Sequence, residues 1–486
     1  MKQDFLKGFH ETIQSAMEKM NVPGAQVAIV KDGEVIYKEA FGYADLEKKV
    51  TMTTEHMLPI GSASKSFTAT AAVMLADQGK WNLDEPLKTY LPEFALYDAT
   101  ATAQATARDL MCHRTGVPRH DLMWYNWNDL EREDLVENRM KHLEYNLPFR
   151  SGFQYSNQMY AVIGYFIEKI SGLTWEKFVA EKLFVPLSIE NYSFSIPYPD
   201  GSKKYAKLYT PDDNGVNQEN VPLKIDAVGP AGSINMTIGD FAKWIAFQMN
   251  DGKAGEIALL SEPYWKELYK PNIPYQILPF EFQERTAIGY ALGWTVDAFR
   301  GHKVIDHGGN VNGGSSLMSF LPEEKLGIAI LTNANSNMFV YALSMELYDR
   351  YLGYQGEKDW FEAFQVNMNA LLAAMKEQLT AIYDTKIEGK PYSHEWKEYA
   401  GIYTNPGYGE LELTVEDAGM HMNYHDNQME VKHLHYDIFT FELFGGPHPI
   451  SFSSGVDGKI ASLSIPFELA VDPIVFTKKQ NQKDMD

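Results

Sequence analysis

Four short β-rich runs crowd the second half of the chain: Gly289–Val296, Lys303–Asn310, Gly313–Pro322 and Leu326–Asn333. Few residues separate them, so each must turn back on the one before, because a parallel neighbour needs a crossover of a dozen residues or more. The same economy holds near the start, where Ala25–Val30 and Val35–Tyr37 flank an Asp-Gly hairpin signal at Asp32-Gly33. A helix with Phe9, Ile13, Ala16 and Met17 on one face precedes that hairpin, and Gly42-Tyr43-Ala44 reads as the entry to a polar loop. A helix from Met338 to about Leu352 follows the last run and should cover the sheet. The pattern predicts an α+β fold, an antiparallel sheet flanked by helices, and argues against a Rossmann unit.

Chemistry enters at Gly61-Ser62-Ala63-Ser64-Lys65. Phe67, Ala71, Met74 and Leu75 recur at helical spacing behind it, which predicts a helix from near Ser62 to about Gly79. Lys65, three residues on from Ser62, shares its face of the helix. Serine and lysine so placed are a candidate nucleophile and base, and the free N–H groups of a helix start favour negative charge. Ser62 as a plain N-cap is the alternative.

A second stretch, Tyr155-Ser156-Asn157, launches the apolar helix Ala161–Ile167. The Tyr155 phenol both donates and accepts, and a lysine could acidify it. The Asn157 amide could hold a lysine or a substrate carbonyl, or simply cap the helix. A third stretch, His307-Gly308-Gly309-Asn310, ends one of the β runs, and its glycines leave a strand edge open to a substrate. His307 could donate a hydrogen bond or bias the tyrosine. In a low-dielectric site with positive charge nearby, Lys65 could take the Ser62 proton. Tyr155 is then a second base or the proton carrier to the leaving group. The Ser62 N–H and one from the strand after His307 would serve an oxyanion.

Other residues weigh less. His113, in the short helix-and-loop Ala107–Gly116, reads as a histidine bonding its own loop, and Cys112 as a small buried hydrophobe. Trp124, Tyr125, Trp127 and Tyr145 either line a cleft or pack an insertion. The glycine-dense segment Ala227–Thr237 allows close backbone approach to a site but lacks phosphate-loop spacing. Residues 193–225 read as a long polar surface excursion.

The 486 residues carry a net charge of -22 with scattered cations, which speaks against nucleic-acid binding. A single cysteine excludes an intrachain disulfide and any multi-cysteine metal site. No apolar stretch is long enough to span a membrane and the N-terminus has no signal-like h-region, so the expectation is a cytoplasmic protein without a cofactor. Residues 358–384 read as a long linking helix. Beyond Pro391 the pattern changes to short alternating strands, including Gly409–Leu413, Met420–Tyr424, Phe439–Phe444 and Ile460–Ile465, which predicts a small all-β barrel-like domain. His421, His425, His433, His435 and His448 fall there at no recognised zinc spacing.

The three ordered motifs together resemble the serine β-lactamase-like and penicillin-binding protein family, nearest its class C β-lactamase branch. That family carries S-x-x-K at a helix start, Y-x-N in a loop, and K-T-G or H-x-G on the inner strand. Here they are Ser62–Lys65, Tyr155–Asn157 and His307–Gly309, and Pro59-Ile60-Gly61, Asp109-Leu110 and Gly293-Trp294 match around them. The resemblance implies a class C β-lactamase-like fold with a helical subdomain. It makes Ser62, Lys65 and Tyr155 catalytic, and places Asn157, His307, Gly309 and Asn310 around the substrate and oxyanion, with the Asn310 N–H as second oxyanion donor. It implies a serine hydrolase forming an acyl-enzyme on amide or peptide bonds, including those of D-amino acids. A carboxylesterase, a weak β-lactamase or a non-catalytic penicillin-binding sensor are the alternatives. The C-terminal part resembles a lipocalin-like appendage with a gating or assembly role, so a homo-oligomer is open. The expected units are 1–355 for the hydrolase, 356–392 for the linker and 393–486 for the barrel.

Overall fold

The computed structural model describes residues 4–195, 205–212, 214–276, 279–335, 338–416, 419–443 and 446–480. Its central sheet has eight strands: β1 (Gly24–Lys31), β2 (Glu34–Asp45), β3 (Val50–Thr51), β4 (Arg285–Tyr290), β5 (Thr295–Phe299), β6 (His302–Val311), β7 (Gly314–Leu321) and β8 (Leu326–Thr332). They run in the order β4-β5-β6-β7-β8-β1-β2-β3, and every neighbouring pair is antiparallel. The N-terminal hairpin thus joins the late strands, with Ala25 opposite Thr332 and Lys31 opposite Leu326.

Alternation on the interior strands sorts the core into two layers. Ala25, Val27 and Ile29 of β1 and Ile328 and Ile330 of β8 face one set of helices, α1 (Phe9–Lys19) and a later helix at Phe339–Leu352. Ala28 and Val30, with Ala329 and Leu331, face the other set. That second layer holds α2 (Ser64–Asp77), α3 (Asn157–Ser171) and α4 (Ile238–Gln248). α2 is buried from Ser64 through Ala76, so its run of Ala, Ser and Thr is what lets neighbours approach on every side. Phe67 stacks on Trp244 with centroids 3.8 Å apart, and each such ring contributes roughly 1.5–3 kcal/mol by leaving water.

Three local expectations are corrected. The run Gly289–Val296 is two strands, β4 and β5, because Gly293 sits at φ 76° in a turn closed by the Ala291 N–H on the Trp294 carbonyl, 2.8 Å. A side chain at Gly293 would stand 2.9 Å from the Lys65 carbonyl of α2. β2 does not stop at Gly42 but continues to Asp45, with Gly42 paired to Gly24 and the Tyr43 N–H donating to the Pro23 carbonyl. Ser62 lies in a 3-10 turn, Gly61–Ala63, and the α-helix proper begins at Ser64.

The polar excursion contributes short strands at Tyr192–Ser193, Leu208–Pro211 and Asn217–Asn220, and residues 196–204 of it lie outside the described residues. A 25-residue helix, Trp360–Asp384, leads to a closed eight-stranded barrel. Its strands are β9 (Gly401–Asn405), β10 (Gly409–Glu416), β11 (Gly419–Tyr424), β12 (Asn427–His435), β13 (Ile438–Leu443), β14 (Gly446–Ser454), β15 (Ile460–Ile465) and β16 (Ile474–Lys478). Phe444, expected to end a strand, is outside the described residues. The barrel closes by pairing β16 with β9 at Tyr403–Lys478 and Thr404–Thr477, which leaves no free edge. Inward Leu411, Leu413, Met422, Phe439 and Phe476 fill it. None of the described helices is long and apolar enough to cross a membrane.

Candidate active site

The Gly61–Ala63 turn is pinned from two sides. The Ile60 N–H donates to the Ile234 carbonyl at 2.9 Å, and the Ser316 hydroxyl of β7 donates to the Ile60 carbonyl at 2.7 Å. Gly309 of β6 crosses so close that a side chain there would collide with the Ile60 carbonyl. β5 accompanies β6 only as far as Asp306, so the rest of β6 faces the turn instead of another strand. A Cβ built on Gly61 falls 2.9 Å from the Asn310 backbone nitrogen, which puts that nitrogen beside the Ser62 turn. The Asn310 side chain is tied back, accepting from the Ser315 hydroxyl at 2.7 Å.

Lys65 is wholly buried, one helical turn into the site. Its Nζ is 3.1 Å from Ser62 Oγ, 2.8 Å from Asn157 Oδ1 and 2.8 Å from the Ala231 carbonyl. All three acceptors are uncharged. Burial, reinforced by the Arg119 charge and only partly opposed by Asp121, holds the amine well below the ordinary lysine range. In its neutral form the amine has two N–H groups and one lone pair. The two carbonyls take the N–H groups, and the lone pair is left for the Ser62 hydroxyl.

Tyr155 places its hydroxyl 2.9 Å from Ser62 Oγ. Lys65 does not acidify it. Burial pushes the phenol up to about 12, against the pull of Arg119 and the Ser62 hydrogen bond, so Tyr155 is a neutral donor. Its loop is set by His113, whose ring lies 4.3 Å from the Tyr155 ring and whose Nδ1 accepts from the Ser156 N–H at 3.2 Å. His113 is thus a loop-bonding residue. Ser156 stands at the N-cap of α3 without a capping side-chain bond, while Asn157 reaches across to Lys65. Below them Asp109 is fully buried, caps its helix through Thr106 and binds Arg114 and Arg150.

His307 departs from its expected place. It is 3% exposed, and both ring nitrogens are committed: Nδ1 is 2.7 Å from the Gly308 carbonyl and Nε2 2.9 Å from the Tyr290 hydroxyl. The carbonyl can only accept, so the network puts the proton on Nδ1 and makes Tyr290 the donor to Nε2. Burial, with Lys65 nearby, depresses the ring to about 3, so it is neutral. No ring nitrogen is left over for Tyr155 or a substrate: the side chain lies on the α2 face of the sheet, opposite Met318, but packs on Tyr290 and does not line the cleft.

Arg119 and Asp121 were not expected. Arg119 Nε donates to Asp121 Oδ2 at 2.7 Å, and its guanidinium lies 5.0 Å from the Tyr155 ring centroid. Asp121 Oδ1 accepts from Asn157 Nδ2 at 3.0 Å, so the pair reaches Lys65 through one amide. Ser62 opens onto a cleft of about 310 Å³, walled by Arg119, Asp121, Trp124, Tyr125 and Asn310 among others. Trp124 and Tyr125 therefore line a cleft, whereas Trp127 stacks on His425 of the barrel, centroids 4.3 Å apart, and Tyr145 pairs with Tyr97. Among the described residues no group of three or more His, Cys, Asp or Glu side chains is arranged to hold a metal ion.

A serine hydroxyl bracketed by a buried amine and a phenol, on a helix beside an antiparallel sheet, is the layout of the class C β-lactamase-like fold, here with a barrel added. Residues 9–345 match the Beta-lactamase family, and the chain belongs to it. Residues 385–481 match a domain of unknown function, DUF3471. An unguisins hydrolase, ungD', of Aspergillus campestris is 27% identical over 428 residues, covering 84% of this chain and 78% of that protein. The octameric penicillin-binding protein homologue from Pyrococcus abyssi shares the fold over 97% of this chain and 100% of its own (TM-score 0.63, 21% identity). The D-amino acid amidase of Ochrobactrum anthropi SV3 shares it over 71% of this chain and 97% of its own (TM-score 0.58, 22% identity).

Proposed function

We propose that this protein is a serine hydrolase that cleaves amide or peptide bonds, D-amino-acid amides among them, through an acyl-enzyme on Ser62. The observation that carries the reading is the Lys65 amine, buried and facing Ser62 with its two N–H groups already taken by Asn157 and Ala231. Lys65 accepts the Ser62 proton as Oγ attacks the substrate carbonyl carbon. The oxyanion lies between the backbone N–H groups of Ser62 and Asn310. The proton passes by way of the Tyr155 hydroxyl to the leaving nitrogen, the C–N bond breaks and the acyl ester remains. Water then attacks the ester, Ser62 leaves and recovers its proton, and the acid is released.

Amides are favoured over β-lactams by the cleft's charge. Arg119, the cation on its described wall, gives its Nε to Asp121 and shares its charge with that carboxylate, and His307 is neutral with both ring nitrogens committed, so a substrate carboxylate meets only a partly compensated charge there. The amidase and hydrolase relatives point the same way. The hydrolase unit is taken as residues 1–355, with the linker at 356–392 and the barrel at 393–486.

The test is intact-mass detection of the acyl-enzyme across L- and D-aminoacyl amides, short esters and a cephalosporin. The expected result is a covalent adduct and turnover with D-aminoacyl amides, both absent in Ser62→Ala. Stoichiometric labelling of Ser62→Ala would overturn the nucleophile, and turnover of esters alone would overturn the substrate class.

A further inference from the structure

The cleft wall from Arg119 to Asn128 is held by the barrel. Near its start His120 has φ 41°, the left-handed region that a residue with a Cβ enters at a cost of roughly 1 kcal/mol or more. The residue is fully buried and each of its polar groups is used. Its backbone N–H donates to Glu468 Oε2 at 2.9 Å, and its carbonyl accepts from Gln158 Nε2 at 3.0 Å. Nε2 is 2.8 Å from the Glu144 carbonyl, which can only accept, so the network puts the ring proton there. Nδ1 then accepts from the Tyr408 hydroxyl at 2.7 Å. Tyr408 sits between β9 and β10, and Glu468 just past β15. The grip continues along the loop. The Tyr424 hydroxyl donates to the Leu122 carbonyl at 2.9 Å, the Asp426 N–H to the Asn126 carbonyl at 3.0 Å, and the Asn128 N–H to Asp426 Oδ2 at 2.9 Å.

The residues on either side of His120 are Arg119 and Asp121, the ion pair that reaches Lys65 through Asn157. We propose that Tyr408 and Glu468 of the barrel are positioning residues, which through the strained His120 hold Arg119 and Asp121 against the Lys65–Asn157 pair. The barrel is then part of the charge arrangement of the serine site, and this assignment rests on the reading of Lys65 as the base. The groups facing Lys65 are Arg119 and Asp121 from this loop, Tyr155 and Tyr160 from the start of α3, His113 from the loop beneath and His307 from β6. Of the loop's two charges Arg119 acts more strongly on Lys65 than Asp121, so a loosened loop should let the amine regain its proton.

The test uses the full chain with Tyr408→Phe and, separately, Glu468→Met, a substitution that keeps the side chain's length and removes the oxygen that His120 N–H bonds. Lys65 is titrated by NMR of carbon-13-labelled lysine, assigned with Lys65→Arg, and the acylation rate is followed against pH. In both variants the Lys65 midpoint should rise by about half a pH unit or more, with acylation on the acid side falling about threefold or more, the size of a partly screened neighbouring charge. A midpoint equal to the parent's in folded Glu468→Met overturns the proposal, even if overall activity drops. The NMR titration needs no acylation, so a parent protein that failed to acylate would refute the nucleophile and still leave this inference decided on its own.

Discussion

Asn157→Asp places a carboxylate where an uncharged carbonyl now stands 2.8 Å from Lys65 Nζ. The two side chains have nearly the same shape, so packing is kept and the electrostatics change. An opposite charge within about 4–6 Å raises an amine's pKa by roughly one to three units. The lower half of that range applies here, because the new carboxylate also replaces the amide N–H that Asp121 now accepts from, and two acids in contact resist joint ionisation. An amine left at the ordinary lysine value of about 10.4 is neutral in only about one molecule in a thousand at pH 7.5, a handicap of about 4 kcal/mol. Burial at Lys65 removes much of that handicap, and the substitution restores part of it. The acylation rate, read by intact mass from pH 5 to 10, should keep its shape while its acid limb moves up by roughly one to two pH units. At pH 7 acylation should be slower by about 10- to 100-fold, with the alkaline plateau largely recovered. A folded Asn157→Asp protein whose acid limb coincides with the parent's would refute the assignment of that limb to Lys65.

Two further outcomes bear on the site and its support. Tyr155→Phe should slow turnover by about 100-fold or more without moving the acid limb, since the phenol, held near 12, stays protonated across the assay range; unchanged turnover would remove it from the proton path. For Asp109, burial alone would raise the carboxyl, but Arg150, the Thr106 cap and Arg114 outweigh it and hold the folded-state pKa below the ordinary value. Its stabilisation is therefore complete above about pH 4 and lost as the pH falls through the folded pKa. Asp109→Asn should lower stability by about 3 kcal/mol at pH 7 and flatten that acid slope in denaturant melts, because it leaves two arginines facing a neutral group.

The sheet was legible because strand spacing alone forces antiparallel neighbours, and the barrel because its strands alternate with period two. Ser62 beside Lys65 was legible as an i, i+3 relation, which survives the replacement of the first helical turn by a 3-10 turn. The limits are equally specific. The carbonyl that fixes Lys65 comes from Ala231, whose side chain says nothing, although the glycines around it signalled close approach. Arg119 and Asp121 acquire their role from a loop whose conformation is set by residues some 300 positions away. The state of Tyr155 turns on burial outweighing a nearby cation, and that of His307 on Tyr290 and the Gly308 carbonyl claiming both ring nitrogens, and neither is a property of the motif.

The sheet's composition also fixes a timetable. β1 lies between β2 and β8, so residues 24–31 have no partner on one edge until residues 326–332 exist. At roughly 5–20 residues added per second, the first hairpin waits roughly fifteen seconds to a minute on the ribosome with a Val- and Ile-bearing edge unpaired, the kind of edge that chaperones cover and aggregates recruit. The barrel residues that meet His120 are made later still. A growing chain therefore carries its serine and lysine long before Tyr408 and Glu468, the residues that brace the wall beside them, have been made.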